Sequence, residues 1–212
     1  MIVGAGGHGS VVADAARCAG LWSAISFYDD RWPTLRTHAG CEVVGDMSQL
    51  HTELSLASHP GREVVVAVGD NGVRMELSRR FAAAGATLAT VVHPSAVVSA
   101  SSTLGAGSVV FARAVINPGC VVGVSCIVNT GAVIDHDTVL AEGVHICPGA
   151  VLAGNVTVGE RSWVGIGSSV IQGLYIGERA VIGAGSAVIR NVDPGTTVAG
   201  NPARRIQHVS QP

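Results

Sequence analysis

Residues 101–189 read SSTLGAGSVVFARAVINPGCVVGVSCIVNTGAVIDHDTVLAEGVHICPGAVLAGNVTVGERSWVGIGSSVIQGLYIGERAVIGAGSAVI. Cut every six residues from Val91, the chain places an aliphatic residue second in every hexad. These are Val92, Val98, Leu104, Val110, Ile116, Val122, Val128, Ile134, Leu140, Ile146, Leu152, Val158, Val164, Val170, Ile176, Ile182 and Val188. A period of six matches neither a helix nor an alternating strand. It requires a coil in which each hexad supplies one short strand, one turn and one inward side chain. Three hexads close a triangular turn of eighteen residues, and stacked turns share a core and a parallel ladder. Glycine recurs third and fifth in the hexads (Gly105, Gly107, Gly165, Gly167, Gly183, Gly185), where corners want compact residues or positive φ. The expectation is one unbroken parallel β-helix over residues 91–192, within a domain spanning 89–192, followed by a cap or tail over 193–212.

Residues 1–88 have another rhythm. Ile2-Val3 starts a short strand that runs into GAGGHG, Gly4 to Gly9, and a helix is expected over Ser10–Ala19. AISFY, residues 24–28, reads as a second strand ending at Asp29-Asp30. A helix is expected over 46–57 with Asp46 as its cap. EVVVAV, residues 63–68, suits a central parallel strand, followed by the loop Gly69–Gly72 and a helix over 73–84. TLATVVHP, residues 87–94, reads as one last strand. Alternating elements of this kind make a small Rossmann-like α/β domain.

Gly4, Gly6 and Gly9 fit G-x-G-x-x-G between strand and helix. Such a turn aims backbone N–H groups and a helix N-terminus at phosphate. The default reading is a dinucleotide, but 88 residues are too few for a full two-half fold. A nucleoside-diphosphate sugar fits better, and a purely structural role stays open. Gly6, Gly7, His8, Gly9, Asp29, Asp30, Asp70 and Asn71 are the candidate contacts.

Composition narrows the partners. The net charge is −2, charged residues make up 13%, and every fixed positive charge is an arginine. That balance does not suit nucleic-acid binding. No run of eighteen apolar residues exists, so no membrane span is expected. No basic start precedes an apolar run, so a cytoplasmic location is expected. The five cysteines, Cys18, Cys41, Cys120, Cys126 and Cys147, show no C-x₂₋₄-C spacing and read as small buried hydrophobes.

One polar break interrupts the coil: Asp135, His136 and Asp137, directly after the core residue Ile134. His136 is fourth in its hexad, a turn position facing outward, where imidazole can act as a general base. Asp137 can fix its tautomer. Gly154 lies eighteen residues on, one full turn away, with an N–H placed to stabilise an oxyanion. Cys147 has no neighbouring base, and His8, His136 and His145 show no metal-ligand spacing, so neither a covalent thiol route nor a metal is expected.

The motifs GAGGHG, FYDD, VGDN, VHPSAVVS, NTGAVIDHD, HICPGAVLAGNV and AGNPARRI together resemble the sialic-acid O-acetyltransferase and bacillosamine-type sugar N-acetyltransferase group of hexapeptide-repeat acyltransferases. The resemblance implies a left-handed β-helix and an N-terminal domain holding the UDP part of an amino sugar. It also implies acetyl-CoA bound between neighbouring subunits of a homotrimer. His136 matches the catalytic base and Asp137 its acidic neighbour, often Glu in the family. His145 matches a polar group near the acceptor or CoA, and Asn129 a position that can touch the sugar. CoA is expected along Trp163, Ile166 and Gly173 and under the tail arginines Arg204 and Arg205. The implied reaction is direct acetyl transfer to an amine of a UDP-linked amino-deoxy sugar; O-acetylation of sialic acid or a related sugar is the alternative.

Overall fold

Strands of two residues recur at the six-residue stride, from Val91–Val92 through Val97–Val98 and Thr103–Leu104 to Ala187–Val188. They belong to a computed structural model that describes residues 1–56 and 62–206. Each strand pairs in parallel with the strand eighteen residues on. On the first face Val91 pairs with Val109, Val109 with Ile127, Ile127 with His145, and His145 with Trp163. Strands starting at Val97–Val98 form the second face and those starting at Thr103–Leu104 the third. The second residue of each strand points inward, and Val110, Ile116, Val122, Ile134, Leu140, Ile146 and Leu152 join one buried cluster. Each such side chain contributes roughly 1.5–3 kcal/mol when fully buried, so the core is as regular as the sequence.

The two glycine positions do different jobs. The fifth takes positive φ, as at Gly107 (φ 74°). The third keeps ordinary φ but admits no Cβ: one added at Gly105 would lie 2.4 Å from the Gly123 carbonyl carbon on the next turn. The register does not run unbroken to 192. After Val188, Val192 bridges Ile176 and Thr197 pairs with Val181, sixteen residues apart instead of eighteen. Asp193, Pro194 and Gly195 follow this shortened corner, and Arg204–Ile206 then folds back antiparallel on Thr197–Ala199.

The N-terminal part is a sheet with helices. Its strands are β1 (Ile2–Val3), β2 (Phe27–Tyr28), β3 (Thr37–His38), β4 (Cys41–Gly45), β5 (Glu63–Val66) and β6 (Thr87–Leu88). Its helices are α1 (Gly7–Ala19), α2 (Met47–Leu56) and α3 (Asn71–Ala83). The sheet order is β3-β4-β2-β1-β5-β6, parallel apart from the β3–β4 hairpin. Short β1 is central, paired to β2 and β5 on either side. The β3–β4 hairpin was not expected. α1 begins three residues earlier than Ser10, inside the glycine loop. The expected strand over 87–94 is two strands: β6 closes this sheet, whereas Val91–Val92 opens the coil. Asp46 caps α2 as expected, its carboxylate accepting from Gln49 N–H at 2.7 Å while Gln49 Oε1 accepts from Asp46 N–H at 2.9 Å. Residue 57 of that expected helix, and 207–212 of the expected tail, lie outside the described residues.

The sheet domain docks on the first face and on the vertex between the third and first faces. Val12, Ala16 and Phe27 share a buried cluster with Val91, Val109, Phe111 and Ile127 of the first face. At the vertex, Asn71 Nδ2 donates to the Arg161 and Ser162 carbonyls at 3.0 and 3.1 Å. Arg74 is 1% exposed and donates to the carbonyls of Ser125, Gly143, Val68 and Gly69 and to Asn71 Oδ1. Arg79, 58% exposed, reaches Glu142 and Glu160 on the coil at 2.9 and 3.2 Å.

Candidate active site

The polar break forms an organised turn. Asp135 Oδ1 accepts from Asn117 Nδ2 at 2.7 Å, one turn of coil below, and from His136 N–H at 2.8 Å. Asp137 takes the left-handed conformation (φ 59°) that glycine fills at other corners, which aspartate tolerates better than most residues. Its Oδ2 lies 2.8 Å from His136 Nδ1. A carboxylate only accepts, so Nδ1 carries the proton and Nε2 keeps its lone pair. The hydrogen bond His136 donates to Asp137, helped by the charge of Asp135, raises the His136 pKa above the ordinary imidazole value.

Nε2 faces Gly154. A Cβ added there would stand 2.5 Å from Nε2, so the imidazole occupies the space a side chain would take. The Gly154 N–H donates to no protein acceptor among the described residues. The same holds for Val124 and Glu142 at equivalent corners. The free donor is therefore a property of the coil, and its nearness to Nε2 is what distinguishes Gly154. Gly173 continues this vertex, donating to the Gly154 carbonyl at 3.0 Å.

A second polar patch lies on the first face. His145 and Trp163 are stacked neighbours in the ladder with ring centroids 4.2 Å apart, and Asn129 Nδ2 is 3.3 Å from His145 Nε2. His8, at the start of α1, sets its ring against Phe111 (5.5 Å) and towards His145 (6.5 Å). His8 Nε2 and His145 Nδ1 are buried without a partner. Burial, then the nearby Arg74 charge, pushes their pKa values down to about 4 and about 3. Both rings are neutral at pH 7, so neither supplies positive charge to a phosphate.

The glycine loop has the expected geometry. A Cβ at Gly9 would fall 2.2 Å from the Gly4 carbonyl oxygen, so only glycine lets α1 approach β1. Gly6 and Gly7 have no atom within 4 Å of an added Cβ. The N–H groups of Gly7, His8 and Gly9 open the helix with no acceptor among the described residues, an arrangement suited to an anion. Asp29 is already engaged. Its carboxylate accepts from Ala5 N–H at 2.7 Å and from Arg31 Nε at 2.7 Å, and the Arg31 bond foremost holds its pKa down to about 2.

Residues 1–81 match the family described as the PglD N-terminal domain. Over 107 residues, 50% of this chain, the sequence is 39% identical to UDP-N-acetylbacillosamine N-acetyltransferase of Bacillus subtilis (strain 168); the matched stretch spans 48% of that protein, about half its length. The acetyltransferase domain of PglB from Neisseria gonorrhoeae FA1090, solved with acetyl coenzyme A, is 41% identical with a TM-score of 0.91, covering 97% of both chains. PerB from Caulobacter crescentus, solved with CoA and GDP-perosamine, is 38% identical with a TM-score of 0.89, covering 97% of this chain and 96% of that one. The chain belongs to the bacillosamine-type sugar N-acetyltransferase family. Its coil is the left-handed parallel β-helix of these hexapeptide-repeat enzymes.

For a member of this family, the expected site residues divide into two groups. His136, Asp137, Gly154 and Gly173 share the vertex between the second and third faces. The glycine loop, His8, Asn129, His145 and Trp163 lie on or against the first face. That vertex is opposite the first face in a triangular coil, so one chain does not bring the groups together. Ile166, 60% exposed, lies on the vertex between the first and second faces. Arg204 and Arg205 lie on the folded-back strand at the end of the first face. Four of the expected sugar contacts have other partners. Asn71 and Asp29 are committed as described, Asp70 caps α3 through Val73 N–H at 2.8 Å, and Asp30 accepts from Met47 N–H at 3.1 Å. Sequence reading missed Arg31, whose guanidinium also bonds the Ala5 carbonyl at 2.6 Å and so buttresses the glycine loop. It missed Arg74 as well. Cys147 is buried and its pKa is raised to about 12 by that burial, which suits packing and not nucleophilic chemistry.

Proposed function

We propose that this chain is an acetyl-CoA-dependent N-acetyltransferase acting on a nucleoside-diphosphate-linked amino-deoxy sugar, with UDP as the nucleotide. The observation that carries the proposal is the His136–Asp137 pair, its free Nε2 set against Gly154 on an acyltransferase coil. The sugar amine attacks the thioester carbonyl carbon as Nε2 takes its proton. The N–C bond forms, Gly154 N–H stabilises the oxyanion, and the C–S bond breaks. The proton held on Nε2 then passes to the departing CoA thiolate. Holding the two reactants in line supplies much of the rate.

The division of the site supports a homotrimer. Val97, Val121, Val139, Val151 and Tyr175 point outward from the second and third faces and are exposed. Packing copies along these faces would cover them and bring the His136 vertex of one copy to the first face of the next. CoA would then run past Trp163, Ile166 and Gly173, with Arg204 and Arg205 pairing its phosphates. Dependence on acetyl-CoA argues for the cytoplasm. The Bacillus subtilis relative is by name an N-acetyltransferase of a UDP sugar, and PerB was solved with CoA and a GDP sugar. The deciding experiment is CoA-thiol release with acetyl-CoA and UDP-, GDP- and dTDP-linked amino sugars, with free sialic acid as the hydroxyl acceptor. Turnover of a UDP amino sugar is expected. Turnover of sialic acid alone would overturn the reading.

A further inference from the structure

Outside the two polar patches, three metal-ligating side chains converge where α1 meets the first turn of the coil. Asp14 and Cys18 stand four residues apart on α1, hence on one helix face. His93 follows the first coil strand, Val91–Val92. The ligand atoms of all three lie within 4.8 Å of one another. Among the described residues this is the one group of three or more His, Cys, Asp or Glu side chains close enough to share an ion. Cys18 is also the exception among the thiols, which were expected to be buried: it is exposed, whereas Cys120, Cys126 and Cys147 are buried and Cys41 is half-buried.

We propose that Asp14, Cys18 and His93 bind a zinc-class divalent cation that ties the N-terminal domain to the coil. A thiolate with an imidazole selects zinc over magnesium or calcium, and a carboxylate completes a three-ligand set with water in the fourth place. Zinc–ligand bonds of about 2.0–2.3 Å put tetrahedral ligands roughly 3.4–3.8 Å apart. Closing from 4.8 Å or less therefore needs about an ångström of side-chain movement, which exposed Asp14 and Cys18 permit. His93 is already oriented. Ser95 holds its Nδ1, with N–H at 3.0 Å and Oγ at 2.8 Å, leaving Nε2 as the free nitrogen. Ser95 N–H now donates to Nδ1, so ligation through Nε2 moves the imidazole proton to Nδ1, where Ser95 Oγ accepts it and the Ser95 N–H gives up that acceptor, a cost the metal bond must exceed. The Cys18 thiol proton is released to solvent, so affinity rises with pH. The site is separate from the His136 vertex and is independent of the proposed reaction.

The test is titration of the untagged, metal-stripped protein with zinc alone, read by calorimetry and by metal content after dialysis. One zinc per chain is expected, with about one proton released, slower alkylation of Cys18 by iodoacetamide, and a higher melting temperature. Cys18→Ser and His93→Ala should each weaken binding at least about tenfold while circular dichroism stays native, and Asp14→Asn should weaken it less. Calcium or magnesium in place of zinc should leave alkylation unchanged. Absence of binding at micromolar zinc, or binding unaltered in both Cys18→Ser and His93→Ala, would overturn the proposal.

Discussion

Replacing Gly154 by alanine tests how tightly the coil holds the imidazole. The new Cβ would stand 2.5 Å from His136 Nε2, 2.6 Å from Cε1 and 3.0 Å from Cδ2, whereas ordinary contact begins at 3.4 Å. The ring must therefore retreat by about 0.9 Å. Gly154 does not use positive φ, so alanine costs the backbone little. The His136 side chain is 59% exposed, which gives the ring somewhere to go, but outward rotation breaks its 2.8 Å bond to Asp137. The Gly154 N–H survives the substitution. A misplacement of about 1 Å can cost on the order of 10²-fold in rate, and that is the fall expected in kcat. The KM for acetyl-CoA should change by less than about threefold, and the melting temperature by about 2 °C or less. CoA-thiol release with a thermal melt on the same preparation measures both. A kcat within twofold of wild type at unchanged stability would refute the steric argument.

Other consequences follow from named contacts. Asp137→Asn removes the main cause of the raised His136 pKa, so the limb of the kcat/KM profile that rises with pH should move to lower pH. Its plateau should fall about tenfold, short of the ~10⁴ lost at a buried triad aspartate, because this pair faces water. Arg74→Met keeps volume but strips donors from four buried-side carbonyls, and urea unfolding should show a loss on the order of 3 kcal/mol. His8 and His145 are depressed in the folded state, so the unfolded chain binds more protons between about pH 6.5 and their folded values near 4 and 3. Stability should thus fall as pH drops through that window, by up to roughly 1.4 kcal/mol per unit per histidine. His145→Asn should flatten this dependence in urea titrations at pH 7 and pH 5.

The coil was legible because a six-residue register leaves few alternatives, and each inward position named from the pattern is the inward residue of a strand. The corner after Val188 escaped because the aliphatic at Val192 suggests continuity, whereas the chain between Val188 and Val192 is two residues short of the eighteen-residue turn. Strand β3 has only two residues and β4, CEVVG, lacks a clean polar–apolar alternation, so neither gives much signal. The structural bonds of Asp70 and Asn71 were hidden for a chemical reason: helix caps and sugar sites use the same side chains, and the bonds from Asn71 to the Arg161 and Ser162 carbonyls exist only once the coil is docked. Arg74 was invisible because a helical arginine ordinarily reads as solvated, and its burial exists only once Ser125 and Gly143 lie against it. That His136, Asp137 and Gly154 share one vertex was legible because their placement follows from the register. Their separation from the glycine loop is a property of how the two parts dock.

The most direct measurement of the account is the turnover of acetyl-CoA by wild type and His136→Ala with the same nucleotide amino sugar at saturating concentrations. Removing a general base should lower kcat by about 10²–10⁴-fold, with the melting temperature unchanged because the side chain is exposed. A His136→Ala enzyme that retains its kcat and its pH profile would contradict the assignment of His136 as the base.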